Sequence, residues 1–263
     1  MAAQVTIERL GRTAVVRFDT GARANALSQK LLRELTEAAR QFHADPEISA
    51  VILTGRNDQF SMGADLKDPE REKTAAAGLS ERRILQRAGP EMCEAWERID
   101  AVTICAIEGW CIGGGAALAA SCDLRVAGDE AVFYVPEVER GMNMSWGSIP
   151  RFVALIGPAR TKRLAALCEK VDAATALDWG LCDHVVAPGK ALEKAHEIAA
   201  GAGRLPPTAL KMVKQDVNTA ALALSRATAH RDLESFLLMQ GSEDFREGVS
   251  AFIEGREPDF TGD

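Results

Sequence analysis

Three consecutive glycines, Gly113, Gly114 and Gly115, stand between an apolar run, "VTICAIEGWCI", and a short segment that is nearly all alanine, "AALAA". Each glycine costs backbone entropy, so three together suggest main chain that approaches something closely or turns where a Cβ would clash. The candidates are a phosphate cradle, a tight packing turn, or a backbone N–H aimed at a ligand. A dinucleotide fingerprint needs G-x-G-x-x-G, but Leu118 stands where the last glycine belongs, and no Lys-Ser or Lys-Thr follows as a Walker loop requires. What remains is strand, glycine turn and helix N-terminus, which points free N–H groups outward with the positive helix end behind them. Such a place suits an anion that exists only in a transition state, an oxyanion.

The rest of the chain supplies an α/β frame for this step. "VTIERL" and "TAVVRFD" read as a hairpin turning at Gly11-Arg12, and Ser28 caps a helix over "SQKLLRELTEAARQF". "AVILTG" and "VTICAIEG" are short buried strands, and "ERRILQRAGPEMCEAWERI" is a helix bent near Gly89-Pro90. "DLRVAG" and "AVFYV" return as strands. From about residue 149 the pattern turns helical, with "DHVV" a lone extended exception and final helices predicted over 206–222, 224–240 and 242–255. Strands alternating with helices favour a largely parallel, buried sheet.

Bulk properties exclude several roles. A net charge of −7 and no concentrated basic face argue against nucleic acid. The six cysteines show no metal spacing and read as reduced core residues. His43, His184, His196 and His230 are scattered, without metal or triad spacing, so no metal is expected. No apolar run approaches the roughly 20 residues of a membrane span, and the N-terminus alternates like a strand pair rather than a signal peptide. A soluble, cytoplasmic protein is expected.

A second loop, "FSMGADLKD", has the same look as the triple glycine. Gly63 permits a tight backbone and Ala64 follows with a side chain too small to block approach, so two N–H donors can converge on one carbonyl oxygen. Ordinary tight turns explain the spacing about as well. With "RANAL", "AIEGWCIGGGAALAASCDLRVAG", "FYVPEVERG" and "SAFIEGREPDF", this loop resembles the crotonase family, the enoyl-CoA hydratase/isomerase group, nearly end to end in order and spacing. The resemblance implies a crotonase-type spiral of ββα units over 1–200 and a helical C-terminal trimerisation region over 201–263, giving a trimer or a pair of trimers. It implies an acyl-CoA thioester substrate, coenzyme A being carried as part of the substrate and not as a cofactor. The oxyanion hole maps to the N–H groups of Ala64 and Gly114. Ala24, Met62, Asp65, Leu66 and Lys67 map to the substrate-binding loops, Arg23 to a partner of the CoA phosphates, and Phe252 to an aromatic that a neighbouring subunit lays against the adenine. The family lysine three residues later is Gly255 here, beside Arg256.

Family hydratases carry two glutamates. One matches Glu137, after Pro136, and the other falls on Ala117, a position assigned to substrate binding. Hydration needs one group to activate water and another to deliver a proton, and alanine does neither. A single carboxylate suffices to move a β,γ double bond into conjugation, so the resemblance implies an isomerase-like enzyme with Glu137 as its one acid–base group. Two alternatives stay open: a hydratase or lyase acting on an unusual acyl group through Ser145 or Asn143, and a catalytically silent acyl-CoA binder. If Ala117 alone prevents hydration, a glutamate there should restore it in part. A serine peptidase is disfavoured because no G-x-S-x-G occurs. The segment "MNMSWGSIPRF" departs from the small, glycine-rich family pattern. There Met142, Met144 and Trp146 either fill the core or shape the acyl pocket, and Asn143, Ser145 and Ser148 offer polar contacts.

Overall fold

The computed structural model describes residues 4–223 and 225–263. The chain opens with the hairpin β1 (Val5–Leu10) and β2 (Thr13–Phe18), followed by α1 (Gln29–Arg40), β3 (Ala50–Thr54), α2 (Pro69–Ala76), α3 (Leu79–Leu85) and α4 (Ala88–Glu97). Next come β4 (Val102–Ile107), β5 (Trp110–Ile112), α5 (Gly114–Ala120), β6 (Leu124–Gly128), β7 (Val132–Tyr134) and a 3₁₀ turn over Val138–Arg140. The remainder is α6 (Ser148–Ala165), β8 (Val171–Asp172), α7 (Ala173–Trp179), β9 (His184–Val186), α8 (Ala191–Gly203), α9 (Pro207–Ala221), α10 (Ser225–Met239) and α11 (Glu243–Glu254).

A six-stranded sheet runs β1-β2-β3-β4-β6-β9, parallel except for the first hairpin, and a three-stranded sheet runs β5-β7-β8. Alternation along β4 serves both faces of the large sheet. Ile104 and Ala106 meet the alanine stripe Ala191, Ala195, Ala199 and Ala202 of α8, whereas Cys105 and Ile107 join the core under α1, α4 and α5. α1 is amphipathic as expected, burying Leu31, Leu32, Leu35, Ala38 and Ala39, and its Ser28 cap accepts from the Leu31 N–H.

Several expectations shift in detail. The single bent helix is two helices that part at Gln86 and Arg87, ahead of Gly89. Pro90 then falls in the first turn of α4, where its missing N–H costs no helical bond. α2 was not anticipated; Asp68 caps it by accepting from the Glu70 N–H. β8 was also missed, because two residues leave no periodic trace. The last three helices match the expected ranges within about a residue, with Leu224 outside the described residues.

These last helices fold back onto the chain. Lys214 of α9 reaches the Ala101 carbonyl at 2.8 Å and the Asp123 carboxylate at 2.7 Å. α11 sits on the 3₁₀ turn with main chain against main chain: a Cβ on Gly248 would lie closer than 3.0 Å to the Arg140 carbonyl group, and one on Gly141 equally close to Asp244.

The turn before α6 is pinned from two sides. Arg151 donates to the Trp146 carbonyl at 2.8 Å and to Glu97 at 2.7 Å, and the Gly147 N–H donates to Asp232 at 2.9 Å. This holds Trp146 at φ +63°, a left-handed conformation that a bulky residue keeps only when its surroundings impose it. The indole lies between two glycines, since a Cβ on either Gly89 or Gly114 would fall closer than 3.0 Å to its ring atoms. Gly89→Ala should therefore destabilise the protein by about 1–3 kcal/mol through overpacking. Placed on a Trp146→Ala background, the same change should cost almost nothing. Thermal melts of the four members of this cycle check it, and strict additivity would mean that the two residues do not meet.

Candidate active site

Three chain segments run parallel and side by side at one end of the small sheet. Ser61 bridges Cys111, Cys111 pairs with Phe133, and Ile112 pairs with Tyr134. Three residues further along each segment stand Ala64, Gly114 and Pro136. Register alone thus delivers both N–H loops and Glu137 to the same edge. The two loops touch, because a Cβ on Gly63 would lie 2.9 Å from the Ile112 oxygen and 3.5 Å from the Gly114 nitrogen.

Both N–H groups are left free by their elements. Leu27 and Ala64 form a parallel bridge in which Leu27 donates to the Gly63 carbonyl and Asp65 donates to the Leu27 carbonyl. The N–H of Ala64 therefore points away from residue 27. Gly114 opens α5, and the Ala117 N–H is the one that returns to the Gly113 carbonyl. Neither N–H has a protein acceptor among the described residues.

Each of the three glycines makes room for a different neighbour. Gly113 has φ +49° and ψ −112°, outside every region open to a side chain, and a Cβ on it would run into the Glu137 carboxyl. Gly114 gives its space to Trp146, and Gly115 gives its space to Ser61, whose Cβ would be 3.0 Å away. The step is thus at once a packing turn and the holder of one free donor, the Gly114 N–H.

Glu137 is half-buried at this junction, with its carboxyl Oε2 shielded from solvent. Burial pushes its carboxyl up to about 7, against smaller opposing pulls from its own backbone N–H and the Arg140 guanidinium. Its Oε2 has no hydrogen-bond partner among the described residues. The other acids lining the cavity are engaged: Asp68 accepts from the Gln29 and Glu70 N–H groups, and Asp65 from that of Lys67. Asn143 Oδ1, also buried and also on the cavity, is a second unpartnered acceptor.

The cavity has a volume of about 540 Å³. Ala24, Met62, Ala64, Asp65, Leu66, Lys67, Gly114, Glu137, Ser145, Trp146 and Phe252 all line it. Two other residues singled out in the sequence stand elsewhere. Arg23 is exposed and outside the cavity, and Ala117 is buried in the core beneath α5. Phe252 reaches the cavity of its own chain, where the Arg140 guanidinium stacks 4.0 Å from its ring centroid. His43, His184 and His196 take no part in the cavity, and the side chain of His230 is outside the described residues.

Two supporting residues were missed. Asn25 is fully buried at φ +43°, donates to the carbonyls of Phe18 and Phe60, and accepts from the Thr20 N–H. Ser61 donates to the Asn25 carbonyl and accepts from the Gly63 N–H, which fixes the first donor loop. Asparagine is the side chain that most readily combines a left-handed backbone with several local hydrogen bonds, and its place in "RANAL" was the available signal.

The family model described as enoyl-CoA hydratase/isomerase matches residues 9–263. A probable enoyl-CoA hydratase from Mycobacterium bovis is 31% identical over 261 residues, covering 98% of this chain and 97% of that one. The 2,3-dehydroadipyl-CoA hydratase of Escherichia coli is 30% identical, covering 99% of both. The crystal structure of an enoyl-CoA hydratase/isomerase from Xanthobacter autotrophicus superposes with a TM-score of 0.87 at 28% identity, over 98% of each chain. With likeness of this extent along the whole chain, this protein belongs to the enoyl-CoA hydratase/isomerase family, with the crotonase fold.

Proposed function

We propose that the protein isomerises an enoyl-CoA, moving a β,γ double bond into conjugation with the thioester, and that Glu137 is its only acid–base residue. The observation that carries this reading is the Glu137 carboxyl, buried, unpartnered at Oε2 and in contact with Gly113 beside the free N–H of Gly114. The thioester oxygen accepts from the N–H groups of Ala64 and Gly114. As the ionised Glu137 takes a proton from the α-carbon, the developing enolate charge falls on two fixed donors at a helix N-terminus. The same carboxyl, now protonated, returns the proton at the γ-carbon, so the step closes with no second group and no water.

The relatives named above are called hydratases, which favours hydration as the second reading. Hydration here needs a further polar group, and Ser145 and Asn143 are two polar side chains on the cavity that would hold a water. Incubating 3-enoyl-CoA and crotonyl-CoA with the protein in deuterated water separates the two readings. Isomerisation gives the conjugated ester and no hydroxyacyl product, with deuterium at the γ-carbon only to the extent that the proton on Glu137 exchanges with solvent before its return; brisk formation of 3-hydroxybutyryl-CoA from crotonyl-CoA would overturn it.

Glu137→Gln should lower turnover by at least about a hundredfold, the scale of a positioned acid–base group, while leaving ester binding nearly unchanged. Because the working form is the carboxylate, kcat/KM in the parent should rise with pH and level off above about 7. Stability should run the other way. A carboxyl raised from 4.5 to about 7 holds its proton in the fold over a range where the unfolded chain has lost it. The parent should therefore lose on the order of 3 kcal/mol between pH 4.5 and 7, and the glutamine variant should not. Denaturant unfolding of both proteins at pH 4.5 and 8 measures this, and parallel curves would place the proton elsewhere.

Ala117→Glu behaves differently once burial is considered. The position is fully enclosed in the core, so a carboxylate there is left unpaired and without water. The variant should melt well below the parent and gain no hydration of crotonyl-CoA. A folded variant that hydrates this ester would show that Ala117 alone separates the two chemistries.

A further inference from the structure

One cation on the cavity wall has no task in this mechanism. Arg71, one turn into α2, lines the cavity and makes no hydrogen bond or ion pair among the described residues. The acids whose charge acts on it are engaged, Asp68 by the N–H groups of Gln29 at 2.6 Å and Glu70 at 2.9 Å, and Asp65 by that of Lys67 at 2.9 Å. Burial pulls its pKa down, against the attraction of Asp68 and Asp65, so the guanidinium has lost water without gaining a partner. The other cations on the wall differ. Arg140 stacks on Phe252, Lys170 lies over the Tyr134 ring, and Lys67 is exposed.

The surroundings of Arg71 fix which part of a ligand reaches it. Leu27, Leu32 and Asp68, which line the same cavity, are buried, whereas Ala24, Met62 and Lys67, which also line it, are exposed. A nucleotide carrier stays at the exposed mouth, and the acyl chain is the part that enters. We propose that Arg71 binds a carboxylate at the far end of the acyl chain, so that the substrate class is an enoyl-CoA with a distal carboxylate. This rests on the acyl-CoA reading of the site given above. A planar guanidinium offers paired N–H donors to a carboxylate and accepts nothing, so an acyl chain ending in a methyl group leaves it stranded and is selected against.

Calorimetric binding of adipoyl-CoA and hexanoyl-CoA tests the assignment. The two esters have equal chain length, differ only in the terminal group, and lack the double bond, so the result does not depend on which reaction the enzyme performs. Adipoyl-CoA should bind at least about tenfold tighter to the parent. Arg71→Met should weaken adipoyl-CoA by about 10- to 100-fold and shift hexanoyl-CoA by no more than about twofold, with Arg71→Lys in between. Should the methionine variant fail to fold, the lysine variant and Arg71→Gln carry the same readout. Equal affinity of the two esters for the parent would overturn the proposal. So would equal weakening of both by Arg71→Met, which would assign the guanidinium to a CoA phosphate instead. Failure of the isomerase reading would appear separately, as absent turnover with the binding preference intact.

Discussion

A carboxyl group can be held dry against the start of a helix only where the main chain offers no side chain to displace it. Gly113 meets that condition twice over, through a backbone conformation closed to other residues and through the space that Glu137 fills. From this contact the rest of the site follows. It keeps the carboxyl out of water, raises its proton affinity into the neutral range, and places it beside the Gly114 N–H. The parallel register of β5 with β7 and with the segment at Ser61 is what brings the partners together, so it is the small sheet on which the three segments end level.

The pocket loop limits what this carboxyl can do. Trp146, strained and pinned through Arg151 and Glu97, packs against Gly114 and lines the cavity. Enzymes that add water must keep room for it, and here an indole stands against the oxyanion loop. In the proposed isomerisation, one carboxylate and two donors would suffice to move a proton between two carbons of the same substrate.

Much of this was legible in the sequence because it rests on local patterns. The apolar periods marked α1, β3, β4 and the last three helices, and the glycine step announced the donor at Gly114. The neighbours that those glycines accommodate were not legible. Trp146 meets Gly89 across a separation that no periodicity reports, and the break at Gln86 that orients Gly89 was hidden by a helical pattern continuing through it. Arg71 sits in a helix that the turn-like composition around Gly63 and Asp68 concealed. Ala117 could be placed on α5 from its spacing, but which way it faced depended on the packing of the whole element against the core. Asn25 needed knowledge of a left-handed backbone that only tertiary hydrogen bonds impose.

The contact between Gly141 and α11 has a consequence for the order in which the protein is completed. The turn that carries Glu137 is made midway through the chain, but the helix whose main chain lies against it, and the Phe252 ring that stacks on Arg140, come more than a hundred residues later. On the ribosome the large sheet can assemble while the catalytic edge is still uncovered on one side. The turn that carries Glu137 gains its last neighbours only when α11 has emerged and docked. A nascent or C-terminally clipped chain would therefore lack the helix packed on that turn and the ring stacked on Arg140.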